Sequence, residues 1–147
     1  MLKNQYFRLV IIFACLLIAP FIITSNVTFA AVSSGQTSTL GYDSKFVTLN
    51  GLKFHYVQKG EGDLIVFLHG YPFFGASWDK LLSHFSNDYH VVAPDNRGYN
   101  LSAKPEGAEN YKIELLVEDV KALIKHFPAD KKVTLVGHDW GGALAWT

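Results

Sequence analysis

Apolar positions along this chain fall into runs of three kinds, and each kind predicts a different element. Residues 64–68 (LIVFL), 90–95 (HVVAPD) and 133–136 (VTLV) are short and almost continuously apolar. Such runs mark strands buried on both faces. Residues 113–127 instead carry apolar side chains at 113, 116, 117, 120, 123, 124 and 127. That spacing predicts a one-faced helix, closed by Pro128. Residues 79–85 predict a shorter amphipathic helix, with Trp78, Leu81, Leu82 and Phe85 at helical spacing. Residues 46–49 and 52–58 flank Asn50-Gly51, a strong hairpin signal. The second of these runs alternates loosely, with Leu52, Phe54 and Tyr56 on one side and Lys53, His55 and Val57 on the other. Loose alternation of this sort is expected near a sheet edge.

Strand, helix, strand, helix, strand, with hydrophobic strands, argues for an α/β fold: a mostly parallel sheet with helices on both faces. The opening hairpin adds an antiparallel edge. Residues 60–63 form a turn, residues 96–107 a polar loop, and a further helix begins after Gly141.

The first thirty residues follow another pattern. Lys3 and Arg8 accompany an apolar run from Leu9 to Ile23, with no acidic residue before Ala30. Small residues at Thr28 and Ala30 suit a signal peptidase, so residues 1–30 are expected to be a signal peptide cleaved near Ala30. The expected location is then outside the cytoplasm, periplasmic or secreted, with membrane contact only through this segment. The alternative is an uncleaved anchor. Against it, Pro20 interrupts a run that is already short of the roughly 20 residues a spanning helix needs. Residues 31–44 are expected to be a flexible lead-in, and residues 45–147 the folded domain.

Composition narrows the chemistry. The net charge is +0, so nothing favours nucleic acid as a partner. Cys15 is the only cysteine, so if the leader is removed as expected the mature chain has no disulfide, thiolate nucleophile or cysteine metal site. No cluster has metal-ligand spacing and no glycine loop matches a phosphate cradle, so no metal or organic cofactor is implied. Oligomeric state is not written in the sequence.

The chemistry concentrates after the last strand, in Gly137-His138-Asp139-Trp140-Gly141-Gly142. A nucleophile between a strand end and a helix start sits on a tight, strained turn whose neighbours must lack bulk. Gly137 and Gly141 supply that on either side of Asp139, and Gly142 would let the helix approach the sheet. The plainer reading is an Asp capping a helix, which needs one acceptor but no flanking glycines. His69-Gly70-Tyr71-Pro72 follows the strand LIVFL. A backbone N–H from this loop, with that of Trp140, would make an oxyanion hole. His69 is expected to tie the loop down rather than to act on substrate.

HGYP, APDNRGYNLSAKP and LVGHDWGG, in that order, resemble the α/β-hydrolase superfamily, and more narrowly its epoxide hydrolase branch. The resemblance runs from about Phe46 to the last residue. It implies Asp139 as nucleophile, the N–H groups of Tyr71 and Trp140 as the oxyanion hole, and the Trp140 side chain in the pocket wall. His69, Gly70, Pro72, Gly137, Gly141 and Gly142 are then structural. Asp95, Arg97 and Gly98 form a turn pinned by a charge pair, while Asn96 and Asn100, at positions often apolar and glycine, read as tolerated variation. The implied substrate is a small apolar epoxide or halide. A carboxylate needs no base in order to attack, and the ester it forms can be hydrolysed.

The family's acid, histidine and cap tyrosines follow the elbow, and residues 1–147 contain no histidine after Asp139. The stretch is therefore expected to be the N-terminal part of a larger hydrolase, able to be alkylated but not to turn over alone. Its last strand is expected to form an exposed edge. A dehalogenase is the alternative enzyme. Tyr71 and Trp140 speak against it, because such enzymes typically carry asparagine or arginine there. A truncated, non-catalytic protein is the third reading.

Overall fold

A computed structural model of the chain describes residues 8–11, 41–128 and 133–147. The described residues form one mixed sheet in the order β1-β6-β4-β5-β3-β2. Its strands are β1 (Arg8–Ile11), β2 (Asp43–Leu49), β3 (Leu52–Lys59), β4 (Leu64–Leu68), β5 (His90–Pro94) and β6 (Thr134–Gly137). β2 and β3 are the antiparallel hairpin, turning at Asn50 and Gly51, both with positive φ. β4 pairs in parallel with β5 on one side and with β6 on the other. Crossovers between them run through α1 (Asp79–Phe85) and α2 (Ile113–His126), and α3 (Trp140–Trp146) follows β6.

The continuous apolar runs have the burial their pattern predicts, because side chains alternate between two covered faces. Leu64, Val66 and Leu68 join Val92 and Leu135 against Val117, Val120 and Leu123 of α2 and Leu144 of α3. Ile65 and Phe67 join Val91, Ala93 and Val136 against Leu82 of α1, with Trp78, Leu81 and Phe85 packed beside it. Phe127 leaves the helix in an extended conformation. That is the conformation a residue before proline prefers.

Four expectations need correction. β3 lies inside the sheet, between β2 and β5, and Phe54, His55, Tyr56 and Val57 are all buried; its loose alternation reflects cover on both faces. β2 starts at Asp43, inside the stretch 31–44 expected to be a flexible lead-in, and buried Tyr42 precedes it. The last helix starts at Trp140 rather than after Gly141. β6 is not a bare edge, since β1 pairs with it in parallel from Arg8↔Thr134 to Ile11↔Gly137. Those four residues belong to the segment read as a signal peptide, the rest of which lies outside the described residues. Among the described residues no helix is long and apolar enough to cross a membrane.

Candidate active site

Asp139 sits between the end of β6 and the start of α3 with φ 54° and ψ −122°. A non-glycine residue at such a φ is strained by about 1–3 kcal/mol and persists only where its surroundings impose it. Here the surroundings are glycines packed without space for a side chain. A Cβ on Gly137 would lie 2.5 Å from the Gly141 carbonyl oxygen, and one on Gly141 would lie 2.0 Å from that of Leu68. A Cβ on Gly70 would lie 2.3 Å from Asp139 Oδ1. The elbow and the HGYP loop therefore pack backbone against backbone, joined by the His138 N–H bond to the Leu68 carbonyl (3.1 Å).

The Asp139 main chain starts α3, its carbonyl accepting the N–H groups of Gly142 and Ala143. Its side chain does not cap the helix. Instead Oδ1 accepts the Tyr71 N–H at 3.0 Å. The Trp140 N–H, then that of Tyr71, hold the carboxyl below the usual aspartate range, with a smaller contribution from His138; slight burial opposes them. The two N–H groups expected to face the site thus meet on one carboxylate. That carboxylate is exposed, as are the side chains of Tyr71 (70%) and Trp140 (58%).

His69 is 1% exposed and makes no contact with Asp139 among the bonds assigned to it. Its Nδ1 lies 3.0 Å from the Gly70 carbonyl oxygen, and its Nε2 accepts the Asn96 N–H at 3.0 Å. A carbonyl can only accept and an N–H can only donate, so the ring is neutral with its proton on Nδ1. Burial pushes its pKa down, in keeping with that state. Tyr99 packs edge-on against the ring at 4.9 Å, and its hydroxyl is held above its usual pKa by burial and then by the charge of Asp139. Sequence reasoning did not single out Tyr99, although its place in DNRGYN was a usable signal.

The Asp95 loop is built differently. Asp95 is fully buried and accepts bonds from His55 Nδ1 (2.8 Å), Gly75 N–H (2.8 Å), Asn100 Nδ2 (2.8 Å) and Leu101 N–H (3.2 Å). Burial alone would raise its pKa; the His55 bond, then the Gly75 bond, bring it below the usual range. His55 Nε2 lies 2.8 Å from Ser44 Oγ, which gives a Ser-His-Asp connectivity. With Asp95 spent on two backbone N–H groups and Asn100, that chain ties strands and loops together. Asp95 and Arg97 do not pin each other. Arg97 forks onto Asp119 of α2 with two bonds of 2.8 Å, and Asn50 of the hairpin also reaches Asp119 (2.9 Å). Nor are the two asparagines idle variation. Asn100 has φ 39°, which suits the glycine often found there, and it bonds Asp95; Asn96 bonds His69 twice.

Beside the elbow, Phe73, Trp78, Leu81 and His138, with His69, Gly70 and Ser77, line a cavity of about 270 Å³. Of the remaining histidines, His84 and His126 are exposed, and His90 lies on β5 near Gln58.

The sequence pattern of the alpha/beta hydrolase fold family matches residues 63–147. Epoxide hydrolase 1 of Caenorhabditis elegans is 39% identical over 91% of this chain and 34% of its own length. A crystal structure of an epoxide hydrolase from Vigna radiata superposes with a TM-score of 0.71 at 39% identity, covering 76% of this chain and 35% of that one. An epoxide hydrolase from Bacillus megaterium, solved with its naphthyloxy-propanediol product, is 48% identical with a TM-score of 0.67, covering 70% of this chain and 36% of that one. This chain spans about a third of the length of the curated relatives it matches. With the elbow, the HGYP loop and the sheet order in place, the chain belongs to the α/β-hydrolase fold family and is similar to its epoxide hydrolase branch.

Proposed function

We propose that this chain carries the nucleophile-bearing part of an epoxide hydrolase, with Asp139 as the nucleophile. One observation supports this above the rest: an exposed carboxylate in strained backbone, held below the usual aspartate range chiefly by the N–H groups of Trp140 and Tyr71. Asp95, by contrast, is buried and its acceptors are saturated.

In the proposed reaction one carboxylate oxygen attacks an epoxide carbon. The bond from that carbon to the ring oxygen breaks, and the ring oxygen takes up a proton to become a hydroxyl. The product is an alkyl ester of Asp139. Oδ1, already on the Tyr71 N–H, becomes the ester carbonyl oxygen, so the hole that orients the nucleophile is also placed for the second step. Water adds to the ester carbonyl, the acyl C–O bond breaks, and the diol leaves with the carboxylate restored. The family resemblance assigns the proton donor and the water-activating histidine to segments after the elbow. The neighbouring cavity suits an aryl or branched alkyl substituent, since a cavity of about 150 Å³ already accepts benzene.

The test is intact-mass measurement after exposure to an aryl glycidyl ether and, separately, to the matching chloroalkane. The epoxide reading expects a one-adduct mass from the epoxide at a rate well above that from the halide. Faster alkylation by the halide, with chloride release, would replace it by the dehalogenase reading.

We also propose export by cleavage near Ala30, which would remove β1 and leave β6 as the edge that the sequence led one to expect. N-terminal sequencing of the protein from its host's envelope and medium tests this, and an intact Met1 end contradicts it.

A further inference from the structure

The loop that carries the Tyr71 N–H is aimed by a chain of bonds that starts just after β5, at Asn96. The Gly70 carbonyl and the Tyr71 N–H belong to one planar peptide unit and point in opposite directions. Whatever fixes that carbonyl therefore fixes the direction of the N–H. Two groups hold it: the Phe73 N–H at 2.9 Å and His69 Nδ1–H at 3.0 Å. The His69 ring is held in turn through Nε2 by the Asn96 N–H. The Asn96 side chain closes the clamp, its Nδ2–H donating to the His69 carbonyl at 2.9 Å. At the far end the Tyr71 N–H meets Asp139 Oδ1 at 3.0 Å.

The backbone bond to the ring is open to any residue but proline at position 96. The side-chain bond is not, and the apolar residue that the resemblance leads one to expect there could not make it. We propose that Asn96 is a positioning residue for the oxyanion hole, acting through His69 to set the plane of the Gly70–Tyr71 peptide and so the aim of the Tyr71 N–H. The proposal rests on the reading of Asp139 as nucleophile for its catalytic meaning, but not for its test.

The experiment follows the Asp139 carboxyl carbon by NMR during an acid titration of the full chain, as wild type and as Asn96→Leu. Asn96→Ala, a smaller change, serves if the leucine variant does not fold. Loss of the clamp weakens the Tyr71 bond to the carboxylate, so Asp139 is expected to titrate higher in the variant, towards an ordinary aspartate. Amide exchange at Tyr71 is expected to quicken alongside. A variant that melts at a lower temperature while Asp139 titrates and Tyr71 exchanges as in wild type would overturn the proposal, because Asn96 would then be purely structural. Failure of the epoxide reading would show separately, as a wild-type protein that no epoxide alkylates.

Discussion

Asp95 and Asp139 stand just past the ends of two parallel strands of one sheet, and both are held below the usual aspartate range. They reach that state by opposite routes. Asp95 has no exposure and spends its acceptors on a histidine ring, two backbone N–H groups and an asparagine. Asp139 lies open, in a backbone conformation that costs stability, with two N–H groups on its carboxylate. A low pKa therefore does not mark a reactive group. Access, backbone strain and the kind of partner separate the carboxylate that ties a strand and two loops together from the one proposed to attack.

The widest gap between the two should appear on truncation. Asp95→Ala leaves the buried Gly75 N–H and His55 Nδ1 without their partner, and is expected to lower stability by about 3–5 kcal/mol in a urea titration. A loss under about 1 kcal/mol would mean the network matters far less than its burial suggests. Asp139→Gly should do the reverse. It relieves the positive φ, so stability should rise by about 1 kcal/mol while covalent capture of an epoxide disappears.

Next come the close contacts. Gly70→Ala would place a methyl against the Asp139 side chain at a buried position, and is expected to cut the alkylation rate by at least about tenfold and to lower the melting temperature as well. Unchanged alkylation would show that the loop can retreat. The pH profiles sharpen the contrast. Both carboxyls have depressed folded-state pKa values, so what each contributes is present above the ordinary aspartate value and lost as pH falls through its own lower one. For Asp95 the quantity that falls is stability; for Asp139 it is the alkylation rate as well. A rate that halves at the ordinary aspartate pKa would mean that the two N–H groups do not hold the carboxylate in solution. The smallest effect is expected from Asn100→Gly, where a lost bond to Asp95 offsets relief of the positive φ; stability should stay within about 1 kcal/mol of wild type.

Much of this was legible in the sequence. Period and run length gave the parallel strands, the hairpin and α2, because burial on two faces leaves an unbroken apolar run. The glycines around Asp139 announced the tight turn. What could not be read depends on which strands become neighbours. His55 meets Asp95 only because β3 pairs with β5, and Arg97 meets Asp119 only because α2 packs against the sheet. Asp119 did leave a trace, as a carboxylate next to the apolar stripe of α2, where burial requires a partner. Asn96 left a fainter one: its departure from an apolar position pointed to a bond, but not to His69 as the partner.

The most direct test of the central claim locates the adduct. Wild-type protein and Asp139→Asn would be exposed to an aryl glycidyl ether, digested and sequenced by tandem mass spectrometry. The account predicts a single ester on the peptide containing Asp139, and no adduct in the variant at matched fold. An adduct at another carboxylate or at a histidine, or one that survives Asp139→Asn, would contradict it.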